Sequence, residues 1–181
     1  MLNKSFSTKL LSDYSKKEIE RRKIISASNL IGNEAKRAIF SVHRGDHNQS
    51  LTKINDLVGQ VKGLEQKFTV SRLYQEGAYV AAVEELAEAH FLSLALAGKQ
   101  LSAITGLHLS AETYMGGLSD LTGELVRHAV NSIARGEYAN ALSDQKIINS
   151  VMDKLIEADL TGYQRTKYDQ ARSNLKKIEE I

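Results

Sequence analysis

The sequence predicts an all-α protein, an elongated antiparallel bundle of about six to seven long helices, on three observations. The chain has no proline in 181 residues, so no segment carries a fixed kink or lacks a backbone donor. Apolar residues recur at helical spacing through most of its length. No stretch shows the sustained period-two alternation with β-branched residues that marks a half-buried strand. The length suits one domain, taken as residues 1–181, with a core that needs no covalent staples.

Ser15 and Glu18 make an S-x-x-E capping pattern that predicts the first helix start. Ile19, Ile24, Ile25, Leu30 or Ile31, Ala35, Ala38, Ile39 and Val42 continue a stripe to Gly45, about 30 residues in all. Gly45-Asp46-His47-Asn48 is loop chemistry, and Ser50 caps a second helix through Leu51, Ile54, Leu57, Val58, Val61 and Leu64. A third helix runs from Ser71 to Ala97 and stops at Gly98. Residues 100–109 show no clear period and read as a connection. Ser110 opens a fourth helix to Ala134. Glu137 to Ala158 form a fifth, with Ala139, Leu142, Ile147 or Ile148, Val151, Met152 and Leu155 buried. Gly162 to Ile181 form a sixth, mostly polar helix. Long helices with no Trp and only four Phe leave apolar stripes on outer faces, which self-association would bury.

Without cysteine, disulfides, thiolate metal sites and a cysteine nucleophile are excluded. The longest apolar runs fall short of the roughly 20 residues that cross a bilayer. The N-terminus lacks the apolar core of a secretory signal, so a cytoplasmic protein with no membrane partner is the expectation. The net charge of +2 hides a division. Residues 1–44 hold ten Lys/Arg against four Asp/Glu, whereas residues 76–124 hold one Lys against seven carboxylates. One end suits a polyanion and the middle suits cations.

Glu85 and Glu88 lie three apart and share a helix face, with Glu84 about 100° round from it. Asp120 and Glu124 lie four apart, again on one face. Solvent-facing positions are the plainest reading of such pairs. Two carboxylate pairs on adjacent helices would also supply hard oxygen ligands for Mg²⁺ or Mn²⁺, and through it a grip on phosphate. Asp120 and Glu124 favour the second reading, because their surroundings, Tyr114 to Leu125, are otherwise small and apolar. Burying charge there is costly without a cation. Gly116, Gly117 and Gly123 in the same helix each cost about 1 kcal/mol relative to Ala unless another helix or a ligand approaches closely.

The segment YMGGLSDLTGELVRHAVNSIARGEY strongly resembles the D-L-T-G-E-L helix of the translin and Trax family, all-helical subunits of a small-RNA endonuclease complex. RRKIISASNLIGNEAKRAIFSVHR resembles that family's long first helix, which ends in a similar K-R-x-I-F-x-x-H-R. EELAEA resembles the E-x-x-E-A of the catalytic Trax subunit. The matches come in family order and cover most of residues 20–140. The resemblance implies a translin-like fold. It also implies that Glu85, Glu88, Asp120 and Glu124 bind Mg²⁺ and are required for cleavage, and that the chains assemble, with eight copies expected. Translin itself lacks the E-x-x-E and serves mainly in binding and assembly. A chain with both halves resembles a Trax-type active subunit that assembles alone, as a single-gene homologue would. It is shorter than the eukaryotic subunits before the fourth helix.

Arg21, Arg22, Lys36, Arg37 and Arg44 on the long first helix, with Arg72 further on, are the candidate RNA contacts, since phosphate contacts give sequence-independent affinity. A solvated face with intrahelical pairs such as Glu18 to Arg22 is the competing reading. Arg72 and Tyr74 also offer a guanidinium and a ring for base stacking. No RRM, KH or zinc-knuckle pattern is present, so recognition would be by shape and backbone. His43 and His47 have H-x-x-x-H spacing, but Gly45 and Asp46 interrupt any zincin-like helix. His90 points away from Glu88's face and reads as a packed residue. His128, four after Glu124, could pair with it.

The leading functional expectation is a Mg²⁺-dependent endoribonuclease acting on small or single-stranded RNA within a homo-oligomer. A non-catalytic scaffold for single-stranded RNA or DNA is the alternative. More remote is an all-α nucleoside triphosphate pyrophosphohydrolase, suggested by the E-E-x-x-E of Glu84, Glu85 and Glu88 but lacking its second E-x-x-D.

Overall fold

The computed structural model of the chain describes residues 2–181. Among them are seven α-helices and no strand: α1 (Lys4–His43), α2 (His47–Lys67), α3 (Val70–Leu73), α4 (Gly77–Leu96), α5 (Ala111–Ala134), α6 (Tyr138–Ile156) and α7 (Gly162–Glu179). The all-helical bundle expected from the sequence is what forms. No helix among the described residues is long and apolar enough to cross a membrane.

The first helix is longer than its buried stripe. It spans 40 residues, roughly 60 Å, and is capped by the Asn3 side chain accepting from the Phe6 amide at 3.1 Å. Ser15 and Glu18 therefore lie mid-helix rather than at its start. Phe6, Leu10, Leu11 and Tyr14 are exposed, and Ile19, expected in the core, is too; burial begins with Ile24. Helical propensity alone continues this segment, since nothing packs on it and nothing breaks it.

α2 starts earlier than expected, on Asp46, whose carboxylate accepts from the Gln49 amide at 3.2 Å. The expected third helix is two. One turn, α3, is capped by Thr69, and the chain then breaks at Tyr74-Gln75-Glu76 before α4. Long-range contacts hold the break. The Ser110 amide donates to the Tyr74 hydroxyl at 2.7 Å, and the Tyr74 ring meets the buried Tyr79 ring edge-on at 5.4 Å. Tyr74 is thus committed to packing and is not free to stack on bases. Ser110 caps α5 as expected, accepting from the Thr113 amide at 3.2 Å. In α6, Ala139 and Leu142 are exposed, and the buried stripe begins at Asp144 and Ile148.

α4 packs against α1, α2 and α5, and α5 packs in turn against α6 and α7. Surrounded in this way, α4 buries residues on almost every side, Tyr79, Val83, Leu86, Ala87 and Leu92 among them, as an internal helix does. Its carboxylates at 84 and 88 are carried inside with it. Gly116 and Gly117 of α5 face α4 at the same level. A Cβ on Gly117 would stand 2.9 Å from the Ala87 Cβ and 3.1 Å from the Glu88 backbone nitrogen. The close approach that could offset these helix-weakening glycines is therefore present.

Candidate functional site

Glu85 and Glu88 on α4 and Asp120 and Glu124 on α5 form one acidic cluster. Glu88 is only 8% exposed. Burial, reinforced by the charges of Asp120, Glu85 and Glu124, pushes its pKa up to about 9, so these carboxylates lie within strong electrostatic reach of one another. Burial also raises Glu85, against the pull of the Lys36 ammonium, and raises Asp120, against its bond to Lys167.

Three of the four are held through a single oxygen. Lys36 on α1 lies 3.3 Å from Oε1 of Glu85. Lys167 on α7 donates to Oδ2 of Asp120. His43 on α1 donates through Nε2 to Oε2 of Glu124, and Arg127 lies 3.6 Å from the same oxygen. Among the described residues no side chain pairs with Glu88 or with the other oxygen of these three. The arrangement collects negative charge and hard oxygen donors around one unpartnered buried carboxylate, which is the chemistry a divalent cation relieves. As the side chains stand, no three His, Cys, Asp or Glu among the described residues converge to hold a metal ion. By chemistry alone, the carboxylate oxygens of Glu85, Glu88, Asp120 and Glu124 are the hard donors such a cation takes.

Glu84 meets the cluster from one side, next to Asp120, with Lys167 between them. It is buried, accepts from the Tyr163 hydroxyl at 2.7 Å, and pairs with Lys167 at 2.8 Å. The E-E-x-x-E run thus does not act as one triad. His43, Tyr163 and Lys167 were not among the site candidates. His43 lies in the quoted K-R-x-I-F-x-x-H-R, a usable signal, whereas Lys167 sits on a mostly polar helix with none.

His128 and His90 have other partners. His128 pairs with the buried Asp144 at 2.7 Å and not with Glu124, because α6 packs against that face of α5. His90 meets the Ser102 carbonyl at 3.1 Å, and burial lowers its pKa, which suits a packed residue.

The basic candidates divide. Arg22 and Arg44 are exposed and have no carboxylate partner among the described residues; Arg44 only reaches the Ser41 hydroxyl, at 3.3 Å. Arg37 is exposed and paired with Glu34. Arg21 is half-exposed, between Glu18 at 3.6 Å and Glu76 at 3.4 Å. Lys36 belongs to the acidic cluster. Arg72 corrects the expectation of a free phosphate contact. It is 15% exposed and pairs with Glu76 at 2.7 Å and Glu20 at 3.7 Å, tying the α3–α4 break to α1.

Comparisons with known proteins agree with this architecture. Translin of Gallus gallus is 26% identical over 90% of this chain and 81% of its own length. Among solved structures, apo-NeC3PO superposes with a TM-score of 0.83 at 20% identity, covering 99% of this chain and 96% of that one. AfC3PO in complex with duplex RNA superposes with a TM-score of 0.79 at 17% identity, covering 97% and 92%. The Translin family model matches residues 19–181, nearly the whole bundle including all four clustered carboxylates, and the chain belongs to the translin family.

Proposed function

We propose that this chain is a metal-dependent endoribonuclease that binds small or single-stranded RNA and cuts it within a homo-oligomeric assembly. The observation that carries the reading is Glu88, buried and unpaired, beside three carboxylates that each keep an oxygen free. Glu85, Glu88, Asp120 and Glu124 would hold Mg²⁺ or Mn²⁺, and the bound ion would supply Lewis-acid chemistry at a phosphodiester. His43 orients Glu124 from α1, and Lys36 steadies Glu85. Arg22, Arg37 and Arg44 offer exposed positive charge to the phosphate backbone. RNA as the ligand is supported by family membership and by the duplex RNA held by AfC3PO.

Labelled single-stranded RNA, incubated with the protein in Mg²⁺ or in EDTA, tests the reading. Cutting is expected only with the metal. Glu88→Ala combined with Asp120→Ala should slow it about a thousand-fold while RNA binding stays within about threefold of the parent. A double variant that cuts at the parent's rate removes the catalytic assignment. The non-catalytic scaffold reading is favoured by a separate observation, that no three donors are gathered beforehand. It predicts binding without cutting under every condition.

Phe6, Leu10, Leu11, Tyr14 and Leu142 are exposed, apolar area that self-association would bury. Light scattering is expected to give a mass several times the 20.0 kDa chain, with eight copies as the specific expectation. A monomer at micromolar concentration contradicts it.

A further inference from the structure

Resting on the divalent-ion reading above, we infer that Lys167 is a built-in substitute for a second metal ion, so that the acidic cluster takes one divalent cation per chain rather than two. Glu84 adjoins the four clustered carboxylates through Lys167, and the five are not equally available to an ion. The Lys167 ammonium lies between Glu84, at 2.8 Å, and Oδ2 of Asp120, and it sits 5.3 Å from the centre of the Tyr163 ring. The Tyr163 hydroxyl donates to the same Glu84 oxygen at 2.7 Å. Two carboxylates and a phenol oxygen on three helices would otherwise make a hard oxygen pocket for a divalent ion. The ammonium already fills it.

Lys167 and Lys36 differ in a way that decides which of them yields. Lys36 is 57% exposed and has one carboxylate partner, so it can swing into solvent when an ion arrives. Lys167 is 14% exposed and is gripped by both carboxylates and the aromatic face. With a carboxylate on either side of it and the ring beside it, the ammonium is fixed in place as the counter-charge of this pocket. A divalent ion on the same carboxylates would meet a fixed positive charge at contact distance with little water between, and that repulsion excludes it. Asp120 is pinned through one oxygen, and the other would be the one it could offer, with Glu88, to a single ion. Lys167 is therefore a positioning residue, setting metal count and the attitude of Asp120.

Counting bound Mn²⁺ on the full chain, by calorimetry and by the electron paramagnetic resonance of the free ion, tests this without reference to turnover. The parent and Lys167→Arg should each take one Mn²⁺ per chain. Lys167→Met should take two, because removing the ammonium frees Glu84 and Asp120 together. Lys167→Gln combined with Glu84→Gln removes one charge of each sign, spares the fold an unbalanced buried carboxylate, and should return the count to one. Two ions in the parent overturn the inference, as does one ion in the parent and in Lys167→Met alike, with the metal reading intact in both cases. A parent and Lys167→Met that both take none overturn the metal reading, and the inference with it.

Discussion

Replacing Glu88 with glutamine is expected to flatten the pH dependence of stability in metal-free protein, making the variant more stable than the parent at about pH 9 and slightly less stable at about pH 5. The unfolded chain ionises this carboxyl near 4.5, whereas the folded chain keeps its proton up to about 9. Between those values the folded state binds more protons than the unfolded one. The stabilising contribution is therefore complete below the lower value and is lost as pH climbs toward the upper. At one pKa unit per roughly 1.4 kcal/mol, the accumulated loss reaches several kcal/mol. A glutamine amide left without partners costs about 1–2 kcal/mol at every pH. The second quantity wins in acid and the first in base, so the two stability curves should cross. Glu85 and Asp120 are raised by burial as well, so the variant's curve keeps part of its slope. Urea titrations in EDTA at steps from about pH 5 to pH 9 would show this; parallel curves would mean that Glu88 carries no buried proton. At the proposed metal site Mn²⁺ would compete with that proton, so added Mn²⁺ should stabilise the parent more as pH rises and the variant little at any pH.

The grouping of the four carboxylates was legible because helical spacing is a strong constraint. Three- and four-residue intervals put Glu85 with Glu88 and Asp120 with Glu124 on shared faces, and the small apolar surroundings of Asp120 argued for burial. What the sequence could not display is what depends on contacts between distant segments. Residues 4–14 of α1 have no buried face, so periodicity had nothing to report, and a plausible cap at Ser15 stood in for the true one at Asn3. The break before α4 has no glycine or proline until Gly77; it is held by Tyr74 reaching Ser110, 36 positions away. Arg72 looked like a free cation because Glu20, on α1, is distant in sequence yet adjacent in space. Lys167 was invisible for the same reason: on α7 it is one polar residue among many, and only the packing of α7 on α5 makes it a neighbour of Asp120.

Gly117→Ala should destabilise the protein and weaken metal binding together, against the usual helical trend. In an open helix the change gains up to about 1 kcal/mol, and Gly63→Ala on α2, where an added Cβ meets nothing within 4 Å, should show that gain. At position 117 the new methyl would lie 2.9 Å from the Ala87 Cβ, 3.1 Å from the Glu88 nitrogen and 3.3 Å from the Ala87 carbonyl carbon. Two of those neighbours are backbone and cannot rotate away, so α4 must move off α5 by a few tenths of an ångström. Overpacking of this kind costs about 1–3 kcal/mol, which exceeds the propensity gain. The displaced atoms include the amide of Glu88 itself, so its carboxylate moves relative to Asp120 and Glu124. Gly116→Ala acts differently, because its methyl would collide with the Glu84 carboxylate, a side chain that can leave, at the expense of its bonds to Tyr163 and Lys167. Thermal melts with and without Mn²⁺ separate the cases: Gly117→Ala should melt lower and lose much of the parent's Mn²⁺-induced rise, and a Gly117→Ala protein as stable as the parent, with the same rise, would mean that the helices are not in contact at this level.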